Sequence, residues 1–361
     1  LVSLAMLVLT APALAAPLYF DTASSGAVWD DGTTSNWGAA PGGPYSVPWA
    51  SGSDAIFEGT AGTVGVSGTI SGVNAIGFNV NGYTVSGGGG GGALGFTSTT
   101  ATMGITTGAG INAVISADFA GAAAVSGVGN KIGKLGGGKL TLSGNVNLVT
   151  GDVNANLAAG FTVEGGGEME ILGALKAAST LQVGRSNFDN LIGSSSADNT
   201  VTIAGAAGNA VYGGGLAIGN STFGGNQMNI SRPGTALVPS YNMIGSGKQL
   251  NMGVSSSNNS LTVSNGAYVV QSGGGGTNTW TIGTNDGANN NSILVTGAGS
   301  SIVFGSNQFL NVGFAGSGNS VTVSAGGYFR ESRIGVGMNG GDNNYELITG
   351  STSEVRGNAG S

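Results

Sequence analysis

The chain contains no cysteine and no histidine. Their absence excludes disulfides, Cys nucleophiles, His-based triads and zinc sites of the ordinary kind. Charge is also scarce. Only 7% of the 361 residues are Asp, Glu, Lys or Arg, and no Lys or Arg stands between Leu1 and Asn130. With a formal net charge of −7 and a pI near 4.4, nucleic acid and anionic membrane surfaces are poor electrostatic partners. There are only 7 prolines, and glycine keeps no three-residue period, so collagen is excluded. Helical patterning is missing too: no window holds apolar residues at spacings of three and four, and glycine interrupts almost every stretch.

What is present is glycine, 73 residues of it, among short apolar runs of Ala, Val, Leu and Ile. Disordered chains lack β-branched residues and carry more charge, so the composition points to a β-rich protein with many tight turns. The first segment, "LVSLAMLVLTAPALAAP", has an apolar core from Leu1 to Leu9 and small residues at Ala13 and Ala15. It reads as a secretory signal over residues 1–15 whose start and basic n-region are missing. The run is short and bounded by Pro12 and Pro17, which disfavours a membrane anchor.

Three further segments follow. Residues 16–92 hold Trp29, Trp37, Trp49 and Phe57 and end in six glycines, Gly87 to Gly92, read as a flexible break. In "YTVSG", Tyr83 and Val85 fall on one face and Thr84 on the other, as a half-buried strand requires. Residues 93–180 carry short apolar runs such as "INAVISADF". From Leu181 to Ser361 a repeat of about 30 residues emerges. Its apolar-x-apolar-Gly steps close at Gly184, Gly219, Gly253, Gly283, Gly313 and Gly337, and most are followed by an Asn/Ser-rich turn and a β-branched strand. One such unit cannot bury both faces, but stacked copies share a continuous core. The expected fold is all-β, a parallel β-helix or β-solenoid. Asn residues in "SSNNS", "GANNNS", "SGNS" and "GGDNN" are expected to stack as a hydrogen-bonded ladder at equivalent turns.

"NKIGKLGGGKLTLSGN", Asn130 to Asn145, resembles the autotransporter-associated β-strand repeat, also called the passenger-associated transport repeat. "VWDDGTTSNW", "PWASGSDAIFEG" and "IGFNVNGYTVSG" look like the opening segment of large secreted proteins that carry it. The resemblance implies a right-handed β-helix passenger, secreted or displayed on the outer cell surface. Only one clear "LTLSG" copy is present, and no translocator barrel or sorting signal is seen before the last residues, "EVRGNAGS".

Several motifs invite a chemical reading. Gly133, Gly138 and Lys139 match most of a phosphate-binding loop, but Leu140 stands where Ser or Thr should hold magnesium, and a strand follows instead of a helix. "GSGKQL", Gly245 to Leu250, fails in the same way. Lys134 and Lys139 are accordingly expected to point to solvent. Glu168 and Glu170 share one strand face opposite Met169 and Ile171. They are the candidate carboxylate pair for glycoside hydrolysis, and polar alternation on a solvated face explains them equally well. Asp30 and Asp31 precede Gly32 in an expected turn, with too few donors for calcium. "YFRESRIG", with Arg330, Glu331 and Arg333 near Asp342 and Glu346, reads as a neutralised exposed face. Trp280, Tyr268, Tyr328 and Phe329 could stack on sugar rings or fill coil interiors, and the interior is the favoured placement.

The expectation is an exported structural or adhesin-like surface protein, not an enzyme, with no cofactor and no metal. Its partners would be extracellular glycans or cell-surface components, with no nucleic acid and no membrane insertion of the mature chain. The alternative is a carbohydrate-binding or polysaccharide-degrading β-helix protein.

Overall fold

The computed structural model describes residues 16–88, 91–97, 102–121, 130–148, 160–176, 181–182, 196–208, 211–213, 216–219, 222–244, 250–272, 278–305, 308–331 and 333–357. The signal segment, Gly184 and most of "GSGKQL" lie outside these residues. The chain winds as a β-solenoid with three faces. The second face is a 12-stranded sheet running from Val28–Asp30 to Tyr345–Thr349, and the third is an 11-stranded sheet from Thr69–Val73 to Glu354–Gly357. The first face is carried by an 8-stranded sheet and then a 6-stranded one. Twelve strands at about 4.8 Å give a rod roughly 55 Å long. Each full coil thus supplies three strands.

Period-2 alternation explains the interior. On the second face Leu140 and Leu142, Met169 and Ile171, Val201 and Ile203, Met228 and Ile230, Leu261 and Val263, and Ile293 and Val295 stack in register, all buried. Each such side chain contributes about 1.5–3 kcal/mol by leaving water.

The corner before this face carries the expected Asn ladder. A residue in the left-handed region comes first: Asp198, Gly225, Asn258, Asn290, Gly318 or Asn343. The next residue is always Asn: 199, 226, 259, 291, 319 and 344. Each of the first five donates its Nδ2 and its backbone N–H to the Oδ1 of the next, with Nδ2 distances of 2.8, 3.0, 2.7, 2.9 and 3.1 Å. The closing glycines serve this ladder. Gly253 has φ +59°, and a Cβ there would overlap the Asn291 amide of the next coil.

The N-terminal end departs from the parallel pattern. Strand Ser35–Gly38 runs antiparallel to both Leu18–Phe20 and Tyr45–Pro48, closing the rod with a hairpin. Under it Trp29, Trp37 and Trp49 pack with Phe20 and Phe57, ring centroids 4.9–6.0 Å apart. Asp30 stabilises the adjoining turn by accepting from Thr33 N and Thr34 N at 2.8 and 2.9 Å. Burial is the largest single influence on its pKa and raises it, but the bonds from Thr34 and Thr33 together outweigh it and hold the pKa below the usual value. Asp31 accepts from Ser71 N and Oγ across the corner. Of the glycines expected to be a flexible break, Gly87, Gly88, Gly91 and Gly92 are among the described residues. Gly92 N donates to Gly87 O at 2.8 Å, and a Cβ on Gly92 would overlap Val66 O.

Candidate functional site

The stretch Gly133–Gly144 crosses the corner between the first and second faces. Strand Lys131–Leu135 ends in a glycine turn, and strand Lys139–Leu142 begins the second face. Gly136 has φ +81°, and a Cβ on Gly138 would overlap Ile111 O and Gly108 O of the preceding coil. The glycines are required by close stacking of backbones. A strand and not a helix follows the turn, and among the described residues no helix N-terminus points at it.

Lys139 reaches the outer face as expected. Lys134 does not: it is fully buried, and its Nζ donates to Gly136 O. Strand parity is the reason, because Lys134 lies two residues after the inward Ile132. Its ammonium occupies the corner space beside Gly167, where the next coils carry ladder Asn residues, and a Cβ on Gly167 would overlap it. Burial pushes its pKa down to about 8, with Glu168 opposing. An amine charged in the unfolded chain and neutral in the folded one makes stability rise with pH between about 8 and 10.5. Relative to Lys134→Met, the native chain should gain on the order of 2–3 kcal/mol across that window, measured by denaturant unfolding at a series of pH values. A parallel pH dependence in the two proteins would refute this.

The candidate carboxylates sit on the adjoining coil. Glu168 and Glu170 are half-buried on the outward side of strand Glu168–Ile171, in register with Lys139 and Thr141. Lys139 Nζ lies 3.0 Å from Glu168 Oε1 and 3.1 Å from Glu170 Oε2, and Thr141 Oγ1 donates to the same Glu170 oxygen at 3.0 Å. Partial burial works against the Lys139 charge, but the two carboxylates outweigh it and raise its pKa. One ammonium is therefore shared by both acids on an open face. Glycoside hydrolysis needs two carboxyls flanking a bond, and here Glu168 lines the adjoining cleft whereas Glu170 does not.

That concavity is an open cleft of about 280 Å³ along the corner, with Asn112, Lys139, Glu168, Asp198 and Thr200 over glycine turns. It meets a second, of about 430 Å³, at Asp198, lined further on by Thr222, Ser255, Ser257 and Asn258. Together they form a shallow run of hydroxyls, amides and backbone across successive coils. Among the described residues no group of three or more Asp or Glu could hold a metal ion.

The "YFRESRIG" patch is not the exposed neutral face that its charges suggested. Phe329 and Glu331 point inward and are buried, Arg330 is half-buried, and of the three charged residues only Arg333 is exposed. Glu331 Oε2 and Glu346 Oε1 have no hydrogen-bond partner. Burial, and secondarily the charge of Glu346, pushes the Glu331 carboxyl up to about 7. The folded state then binds more protons than the unfolded one between about pH 4.5 and 7, so stability is greatest at the acid end and falls as pH rises through 7. Glu331→Gln should flatten that fall and exceed the native chain in stability at pH 8, by thermal unfolding. An unchanged slope would contradict this placement.

Trp280 and Phe329 fill the interior, joined by Phe304. Tyr268 and Tyr328 lie half-buried on the outside of the third face, in register on either side of Ser301. Arg232, unremarked in the sequence, is fully buried. It donates from Nε to Ala204 O and from an Nη to Ile171 O, both at 2.8 Å, tying three coils together. Its signal was position: it follows the inward Ile230 by two residues at a strand end.

Compared with known protein families, curated proteins and solved structures, the chain matches none.

Proposed function

We propose that this protein is an exported structural rod, adhesin-like, that presents long and nearly uncharged faces at or beyond the cell surface. The observation that supports this most is the disposition of chemistry. All four Trp rings are buried, the Glu168–Glu170 pair is clamped by Lys139, and the outward residues are mostly Thr, Ser, Asn and Gly. Backbone ladders and the Asn column supply length and stiffness, and repeated corners supply multivalent weak contact. The likeness of "GGGKLTLSG" to the passenger-associated repeat agrees with export, and right-handed winding belongs to the same reading.

Particles coated with the chain should adhere to glycan-bearing or cell surfaces far better than the free chain binds them in solution. Equal avidity at one and many copies would refute multivalent adhesion.

The corner clefts favour one second reading, a glycan-binding module without catalysis. An extended polysaccharide lying across successive coils would meet a new set of hydroxyl and amide groups about every 4.8 Å. Under that reading Asp198→Ala, at the junction of the two clefts, weakens polysaccharide retention in affinity electrophoresis.

A further inference from the structure

Tyr268 and Tyr328 stand outside the interior that holds the four tryptophans. They begin strands Tyr268–Ser272 and Tyr328–Glu331 on the outward side of the third face, each in register with Ser301 of the strand between. They are therefore two coils apart along the rod, about 9.6 Å, close to the length of two linked sugar rings in an extended chain. Ser301 is outward by register yet only 6% exposed, sheltered between the two rings. Among the described residues both tyrosines make their hydrogen bonds through the backbone, so the phenol hydroxyls are open to a ligand.

Beside this pair lies a charge without an opposite. Arg330 follows Tyr328 by two residues on the same outward side. Its guanidinium has five N–H donors. Among the described residues it makes one bond, from an Nη to Phe304 O at 3.5 Å, and its Nε has no partner. The residue in register on the next coil is another cation, Arg356, which pairs with Glu354. Like charges in register across strands are destabilising, and an anion held at Arg330 relieves this. In a chain with 17 acids and 10 bases, an arginine without a carboxylate marks a place.

We propose that the third face binds an acidic polysaccharide, an extended chain of pyranose rings bearing carboxylates. It lies along the rod with rings stacked on Tyr268 and Tyr328 and a carboxylate on Arg330. This site rests on the adhesive reading and lies away from both corner clefts. Tyrosine offers a ring face to sugar C–H groups and a hydroxyl to the ring edge, and the planar guanidinium takes a carboxylate through two parallel N–H bonds. The net negative charge of the chain keeps the contact local and weak in one copy, which suits adhesion by many.

Calorimetric titration of the full chain with oligomers of linear β-linked mannuronate, and with mannose oligomers of the same linkage and length, isolates the carboxylate. Mannuronate should bind about tenfold more tightly, the worth of one charge-assisted contact, and lose that margin as salt is raised. Ser301 and Val303 occupy the same register positions one coil below Tyr328 and Arg330. Tyr268→Ser, Tyr328→Ser and Arg330→Val should therefore keep the fold, checked by their unfolding midpoints. Each tyrosine variant should weaken both oligomers about tenfold, and Arg330→Val should bring mannuronate down to the level of mannose. Asp198→Ala should change neither. Equal binding of the two oligomers would overturn the proposal, as would binding that survives Tyr268→Ser/Tyr328→Ser. So would dextran sulfate bound as tightly as mannuronate and lost only with Arg330→Val, a bare anion contact. Loss on Asp198→Ala would put the glycan in the corner clefts instead. If neither oligomer binds while coated particles still adhere to cells, this site fails and the adhesive reading stands; if the particles fail too, both fall.

Discussion

Asn291→Ala should lower stability by about 3–5 kcal/mol. Asn291 is fully buried and stands in the middle of the column. Its Oδ1 accepts from Asn259 N at 3.0 Å and from Asn259 Nδ2 at 2.7 Å, while its own Nδ2 serves Asn319 Oδ1 at 2.9 Å. Truncation strands the Asn259 backbone N–H and removes one donor from the Asn319 oxygen. Each buried group left unsatisfied costs roughly 1–3 kcal/mol, and the space vacated at the corner adds to it. Asn291→Asp keeps the acceptor but sets a carboxylate oxygen against the Asn319 oxygen, so it should also destabilise at pH 7 and partly recover when protonated. Asn285→Ala is the control: that side chain makes one exposed bond to Ser255 Oγ and should cost under about 0.5 kcal/mol. Calorimetry gives the midpoints, and hydrogen exchange should show the loosening centred on the coils flanking residue 291. Equal losses for positions 285 and 291 would show that the column does not carry stability.

Trp37→Ala should cost about 3–5 kcal/mol and should also change solubility. The ring has no exposure and touches Phe20, Trp29 and Trp49 at 4.9–5.2 Å. It is also part of the strand that covers the Leu18–Phe20 edge. Losing the ring frees the hairpin and uncovers a parallel sheet edge, so aggregation at lower temperature should accompany the drop in midpoint. Trp37→Phe separates the two effects. The Trp37 Nε1 has no partner in the fold, so Phe gives up packing volume but no hydrogen bond, and should lose under about 1.5 kcal/mol without aggregating. If Phe proved as damaging as Ala, the indole N–H would have a role that the fold does not assign to it.

Much of this architecture was legible because the solenoid repeats its rules. Apolar alternation put Leu140 and Leu142 inward, the Asn/Ser turns marked the ladder, and the closing glycines marked the positive φ. What was missed shares one cause. Lys134, Glu331 and Glu346 were read by their charge, yet each has the strand parity of an inward residue: Ile132, Phe329 and Ile348 lie two positions away. A charged residue is expected outside on average, but a parallel coil fixes direction by register with the coil below, and register wins. The terminal hairpin was hidden for a different reason. Only "APGGPY" marks its turn, and antiparallel pairing is a contact between strands that no run within a single strand records. For Glu168 and Glu170, the shared strand face was readable, whereas the single ammonium between them depends on Lys139 lying one coil below.

A structural rod of this kind should cleave nothing. A depolymerisation screen of plant, bacterial and animal polysaccharides, reading new reducing or unsaturated ends, puts that to the test. The structural reading predicts no release above a boiled control, from the native chain or from a Glu168→Gln/Glu170→Gln variant. Release by the native chain that the double variant abolishes would contradict it and place an active site on the Lys139 corner.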